Sequence, residues 1–141
     1  MFIYRRKVQY HETDKMGIAH HSNHVKWMEE ARAAYLENIG FPYQTIEKIG
    51  IVSPVVGLSV DYKHPATFGD EIAVETAISK YTGIKLMVSY TIRNLTTGTV
   101  TATAASKHCF MKDGQIISLK RESPEMHEAL MACLNDCNTS V

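Results

Sequence analysis

Long apolar runs are missing from this sequence, and so is any excess of one charge. No stretch approaches the roughly 20 apolar residues that a membrane-spanning helix needs, and the opening M-F-I-Y-R-R-K-V carries no apolar segment of the secretory-leader kind. Fifteen Lys and Arg balance fifteen Asp and Glu. That balance argues against a nucleic-acid partner or an anionic membrane surface, and any acidic ligand must be met by a local patch. Cysteine is scarce: Cys109, Cys133 and Cys137 are odd in number, crowd the C-terminal third and form no C-x-x-C pair. Reduced thiols are therefore expected rather than a disulfide frame. Glycine motifs for phosphate or dinucleotide binding are absent too. These absences predict a soluble, cytoplasmic protein, and 141 residues read as one domain, 1–141, large enough to bury a core unaided.

What is present falls into one helical pattern and several alternating ones. Val25, Met28, Ala31, Tyr35, Leu36 and Ile39 recur at helical spacing and stop at Gly40 and Pro42, which predicts a helix over 24–39. Ser22 or Asn23 suits its N-cap. Trp27 and Ala34 widen the apolar face, leaving Lys26, Glu30, Ala33 and Glu37 toward solvent or an edge. Alternation predicts strands over 2–10, 56–62, 72–78, 86–92 and 100–104, with a turn at Thr96-Thr97-Gly98 and a hairpin at Asp113-Gly114. Short breaks between them suggest an antiparallel meander joined by the first strand. Ser123 and Pro124 open a terminal helix over 124–135, beyond which the polar tail is expected to fray. Strand, long helix, then antiparallel strands is an α+β order whose economical packing is a curved sheet wrapped around one central helix.

Chemistry concentrates in Tyr10 to Trp27, Y-H-E-T-D-K-M-G-I-A-H-H-S-N-H-V-K-W. Asp14 sits in a polar loop just before the helix. By residue type it is either a turn former that caps backbone N–H groups or a general base. The helix start behind it offers free N–H groups and the positive end of the helix dipole, which suit an oxyanion. Gly17 lets the loop adopt positive φ or approach a substrate closely. Asn23 reads first as the cap and second as a group that positions substrate or water. His11, His20, His21 and His24 raise a metal reading, but H-E-x-x-H is absent and no cysteine is near, so no metal is expected. Glu29 and Arg32, three apart on the helix, are expected to pair and orient it.

The runs Y-H-E-T-D-K-M-G-I-A-H-H-S-N-H, W-M-E-E-A-R and D-Y-K-H-P-A-T-F-G-D resemble the hotdog-fold acyl-CoA thioesterases, in the branch like 4-hydroxybenzoyl-CoA thioesterase and the Tol-Pal-associated thioesterases. The resemblance covers nearly the whole chain. It implies hydrolysis of an acyl-CoA thioester with Asp14 as general base or nucleophile, and with the backbone N–H of His21, and its ring, near the thioester oxygen. It places His20 where relatives usually carry an aromatic and His24 where they usually carry tyrosine, which points to a more polar acyl pocket; Gly17, Asn23 and Lys63 join them as substrate-binding candidates. Lys63 ends a strand near an edge where relatives hold coenzyme A phosphates, and Lys85, Lys107, Lys120 and Arg121 are further cations. Coenzyme A is then the leaving group and no cofactor is implied. A homodimer joined at sheet edges, or a tetramer, is implied as well, and an open strand edge calls for a partner on physical grounds. Two other readings stand beside this one: a thioesterase for acyl groups on a carrier protein, and a non-enzymatic acyl-CoA-binding module.

Overall fold

A computed structural model of the chain describes residues 1–139, with side chains through Asn135. The side chain of Cys137 falls outside the described side chains, while the terminal helix expected over 124–135 continues to Thr139, into the tail expected to fray. The chain forms β1 (Phe2–Lys7), α1 (Ser22–Asn38), α2 (Tyr43–Lys48), β2 (Ile51–Val52), β3 (Val55–Tyr62), β4 (Glu71–Tyr81), β5 (Lys85–Asn94), β6 (Thr99–Cys109), β7 (Met111–Lys112), β8 (Gln115–Ile116), α3 (Leu119–Glu122) and α4 (Pro124–Thr139). No helix among the described residues is long and apolar enough to cross a membrane.

Alternation in β4 and β5 puts Ile72, Val74, Ile78, Val88 and Ile92 into one buried cluster with Trp27, Met28, Ala31 and Leu36 of α1. Trp27 is fully buried, and truncating such a side chain to alanine costs about 3–5 kcal/mol. The helix ends as its sequence suggested: Gly40 takes φ +95, while Phe41 N donates to Leu36 O and Gly40 N to Glu37 O, a Schellman motif. At Asp113 (φ 52) and Gly114 (φ 76) both residues have the positive φ of a type I′ hairpin between β7 and β8. A small sheet of β2, β7 and β8, the helix α2 and the turn α3 were not evident from periodicity.

The five-stranded sheet has the order β1-β4-β5-β6-β3, antiparallel throughout. This corrects the simple meander, because β3 and β4, consecutive in sequence, are not neighbours. Residues 63–70 contain Pro65, which cannot donate, and no two-residue turn of the hairpin type. Their backbone is instead used elsewhere: Lys63 N and His64 N donate to Thr101 O, and Ala66 O accepts from Ala19 N. The segment therefore crosses the end of the sheet beneath the loop before α1, and β3 is left at the far edge. The first strand also ends sooner than expected, at Lys7, and Tyr10–Glu12 makes a 3-10 turn.

Candidate active site

Asp14 lies in a tight loop tied at both ends. Asp14 N donates to Ile18 O and Gly17 N to Asp14 O, both at 3.0 Å, and Gly17 has φ +78, which a side chain there would strain. Met16 N donates to Asp14 Oδ1 at 2.8 Å, so the turn-forming role is real, but it occupies one oxygen. Oδ2 has no hydrogen bond among the described residues. Single bridges pair Thr13 with Ala19 and Ile18 with Thr67, anchoring the loop to the 63–70 crossing.

The start of α1 differs from the expected cap. His21, with helical φ and ψ, occupies the N-cap position, and no side chain caps from it. His20 Nδ1 accepts from Ser22 N at 3.2 Å and lies 2.9 Å from Ser22 Oγ. Asn23 is buried inside the first turn, where its Nδ2 donates to Glu12 O at 2.8 Å and His20 O at 3.3 Å. It stitches loop to helix rather than capping. Asn23 N donates to His20 O and His20 N to Glu12 O. His21 N donates to none of the described residues. Its carbonyl is held by the Tyr62 hydroxyl at 2.7 Å and lies 3.2 Å from His24 Nδ1.

Glu12 is the hub beneath this arrangement. Its carboxylate is only 4 % exposed yet fully engaged: Trp27 Nε1 donates to Oε2 at 2.9 Å, Gln9 N to Oε1 at 2.8 Å, and Arg6 pairs with Oε1. Arg6 also pairs with Glu30 and stands 5.3 Å over the Trp27 ring, a cation–π contact. Glu30, expected toward solvent or an edge, is at the edge strand and part of the tie between β1 and α1. The signal in the sequence was an acid two residues before Asp14, but nothing in periodicity distinguishes a buried carboxylate from an exposed one.

Asp14, His21, His24 and Lys63 line one open cavity of about 420 Å³ together with Met16, Ile18, Ala19, Tyr62, His64 and Pro65. The structure therefore brings four of the sequence candidates together, while Gly17, His20 and Asn23 shape the loop and helix start without lining it. Burial pushes His24 below the ordinary histidine range and Tyr62 above the ordinary tyrosine range, so both present neutral groups at neutral pH. The His20 and His21 rings stack with centroids 4.1 Å apart, and no group of three potential metal ligands occurs among the described residues.

A second cavity, about 310 Å³, lies farther along α1 between Glu29, Arg32, Tyr43, Ser53 and Val55. The expected Glu29–Arg32 pair is not formed. Arg32 Nη1 donates to Tyr90 Oη at 3.1 Å and Arg32 Nε to Tyr43 Oη at 3.3 Å, so phenol hydroxyls take the place expected of the carboxylate. Behind it, Tyr90 Oη, Ser106 Oγ and His108 Nε2 form a buried chain with steps of 2.8 and 2.7 Å.

Known proteins place this architecture. The family model for the thioesterase-like superfamily matches residues 8–134. YneP of Bacillus subtilis, provisionally named an acyl-CoA thioesterase, is 38% identical over 125 residues, covering 87% of this chain and 90% of YneP. The structure of a DHNA-CoA thioesterase from Staphylococcus aureus superposes with a TM-score of 0.93 at 33% identity, over 99% of this chain and 95% of that one. A protein of Aquifex aeolicus with no stated function superposes with a TM-score of 0.86 at 35% identity, over 92% and 99% of the two chains. The sheet and its central helix are those of the hotdog thioesterases, and the chain belongs to the thioesterase-like superfamily.

Proposed function

We propose that this chain, acting as one domain over residues 1–141, hydrolyses acyl-CoA thioesters, with Asp14 as general base and the His21 amide as oxyanion donor. The observation that carries the reading is that Asp14 and His21 line one cavity: among the described residues, the carboxylate has one oxygen anchored and the other unpartnered, and the His21 N–H has no acceptor. Asp14 Oδ2 takes a proton from water as the hydroxide adds to the thioester carbon. The carbonyl oxygen becomes an oxyanion facing the His21 N–H, whose peptide is fixed by the bond from Tyr62 to His21 O and by the helix behind it. Collapse breaks the C–S bond and releases coenzyme A as thiolate, a leaving group that needs little help from an acid. His24, held neutral by burial, shapes the wall without adding charge.

The same reading calls for a homodimer. β3 is an edge strand whose Val55, Val56, Leu58 and Tyr62 are each about half exposed or more, and an apolar unpaired edge of eight residues is completed by a second copy of itself. Lys80, Lys85 and Lys107 surround a cavity beside Val56. Antiparallel pairing of two β3 strands brings that end next to the partner's Tyr62 and Lys63, where the lysines meet coenzyme A phosphates. Thiol release from a panel of short, long and aromatic acyl-CoA esters tests the function. Turnover with at least one class is expected; binding of these esters without thiol release from any would replace the enzyme by an acyl-CoA-binding module.

A further inference from the structure

The two cavities along α1 lie at opposite ends of β3. Tyr62, the last residue of β3, lines the Asp14 cavity, and Val55, the first, lines the Arg32 cavity. Both open on the helix side of the sheet, since α1 contributes His24, next to its N-cap His21, to one and Glu29 and Arg32 to the other. The irregular register between Val55 and Gly57 returns Val55 to the face that carries Leu58, Val60 and Tyr62, an effect a bulge produces. In a two-fold pair of antiparallel β3 strands centred on Ser59, which sets Leu58 opposite the partner's Val60, the Val55–Val56 bulge stands opposite the partner's Tyr62. The Arg32 cavity of one subunit then adjoins the Asp14 cavity of the other.

Arg32 is equipped to receive something. Its charge is secure: burial opposes it, but the Tyr90 and Tyr43 hydroxyls outweigh burial and hold its pKa above the ordinary arginine range. Yet no carboxylate pairs with it among the described residues; its hydrogen bonds go only to those hydroxyls. Partly buried arginines without an anion are uncommon, because desolvating the charge is costly when nothing opposite repays it. The walls beside it are apolar at Ile46, Ile51, Val52 and Val55, with Glu29 and Glu47 at the polar side. Two carboxylates disfavour an anionic guest. A hydroxyl fits both, accepting from the guanidinium and donating to a carboxylate.

Resting on the thioesterase reading above, we propose that Arg32 of one subunit meets the far end of the acyl group whose thioester is held by Asp14 and His21 of its partner, and selects acyl groups bearing a hydroxyl there. Arg32 is thus a specificity residue acting across the interface.

The test compares aromatic and straight-chain acyl-CoA esters with their counterparts hydroxylated at the far end. In the wild-type dimer the hydroxylated ester of the better pair is favoured in kcat/KM by at least about tenfold, the range of a hydrogen bond to a charged group. Arg32→Met brings that ratio near one. Tyr43→Phe, which leaves the Arg32–Tyr90 bond in place, lowers it by about fivefold and serves if Arg32→Met does not fold. A heterodimer of Asp14→Asn and Arg32→Met chains, isolated with two affinity tags, separates the geometries. Acting across the interface, its one intact site combines Asp14 from one chain with Arg32 from the other and keeps the wild-type ratio. Were both groups to act within one chain, the surviving Asp14 would work beside Met and the ratio would be that of Arg32→Met. A wild-type ratio near one, or a heterodimer with the Arg32→Met ratio, overturns the inference alone. Absence of thiol release from every ester overturns the thioesterase reading and this inference with it.

Discussion

The two edges of the sheet are finished in different ways. β1 is six residues long, ends in Arg5, Arg6 and Lys7, and is locked to the helix through Arg6, Glu12 and Glu30. Charge on an edge strand discourages pairing with another chain. β3 at the other edge is eight residues long, mostly apolar, and carries no Lys or Arg from Val55 to Tyr62. Val55, Val56, Leu58 and Tyr62 on it are each about half exposed or more. One edge is closed by ionic groups and the other is left open, and the Asp14 cavity lies beside the open one.

The largest effect should come from charging the open edge. Leu58→Lys is expected to yield a monomer by light scattering and to lower thiol release by at least about a hundredfold, the scale on which small misplacements at a reacting centre act; a folded, active monomer would break the contrast. At the closed edge the sensitive group is inside: Glu12→Ala leaves Arg6 and the Trp27 N–H without their buried partner and should cost about 3–5 kcal/mol in chemical denaturation. His108, paired in register with Val55 beneath the open edge, gives a pH signature. Burial, helped by the charge of Arg32, pushes it down from 6.5 to about 4, so the unfolded chain takes up a proton that the folded chain refuses. Its contribution is complete above pH 6.5 and is lost as pH falls through that window, reaching about 3 kcal/mol. Denaturation at a series of pH values should show this fall in the wild type and a flatter profile in His108→Gln. The smallest effect is Ile3→Lys on β1: stability within about 0.5 kcal/mol and an unchanged oligomer, as for a surface position already flanked by charge.

Much of this was legible from residue patterns because the governing signals are local. The 3.6-residue spacing from Val25 to Ile39, the stop at Gly40 and the D-G hairpin each depend on neighbours in sequence, and the structure carries all three. Family resemblance, rather than periodicity, singled out Asp14, His21, His24 and Lys63, which share the cavity. What escaped depends on contacts across the fold. The place of β3 at the far edge follows from a crossing segment whose hydrogen bonds go to Thr101 and Ala19. Asn23 looks like a cap by type, yet the carbonyl of Glu12 lies within its reach. Arg32 chose two tyrosines, one 58 residues away, over an acid on its own helix. The burial of Glu12 needed Arg6, Gln9 and Trp27 to converge on it, and no spacing rule reports that.

The proposed hydrolysis depends on Asp14 as the base, and kcat for Asp14→Asn on the best ester of the panel tests that role most directly. Asparagine keeps an oxygen to accept from Met16 N, so the loop should persist and the variant should melt and bind acyl-CoA as the wild type does. It cannot take a proton from water. Turnover is therefore expected to fall by roughly a hundredfold to ten-thousandfold with binding intact, whereas near-normal turnover in a folded Asp14→Asn dimer would leave Asp14 as a turn former only and contradict the mechanism.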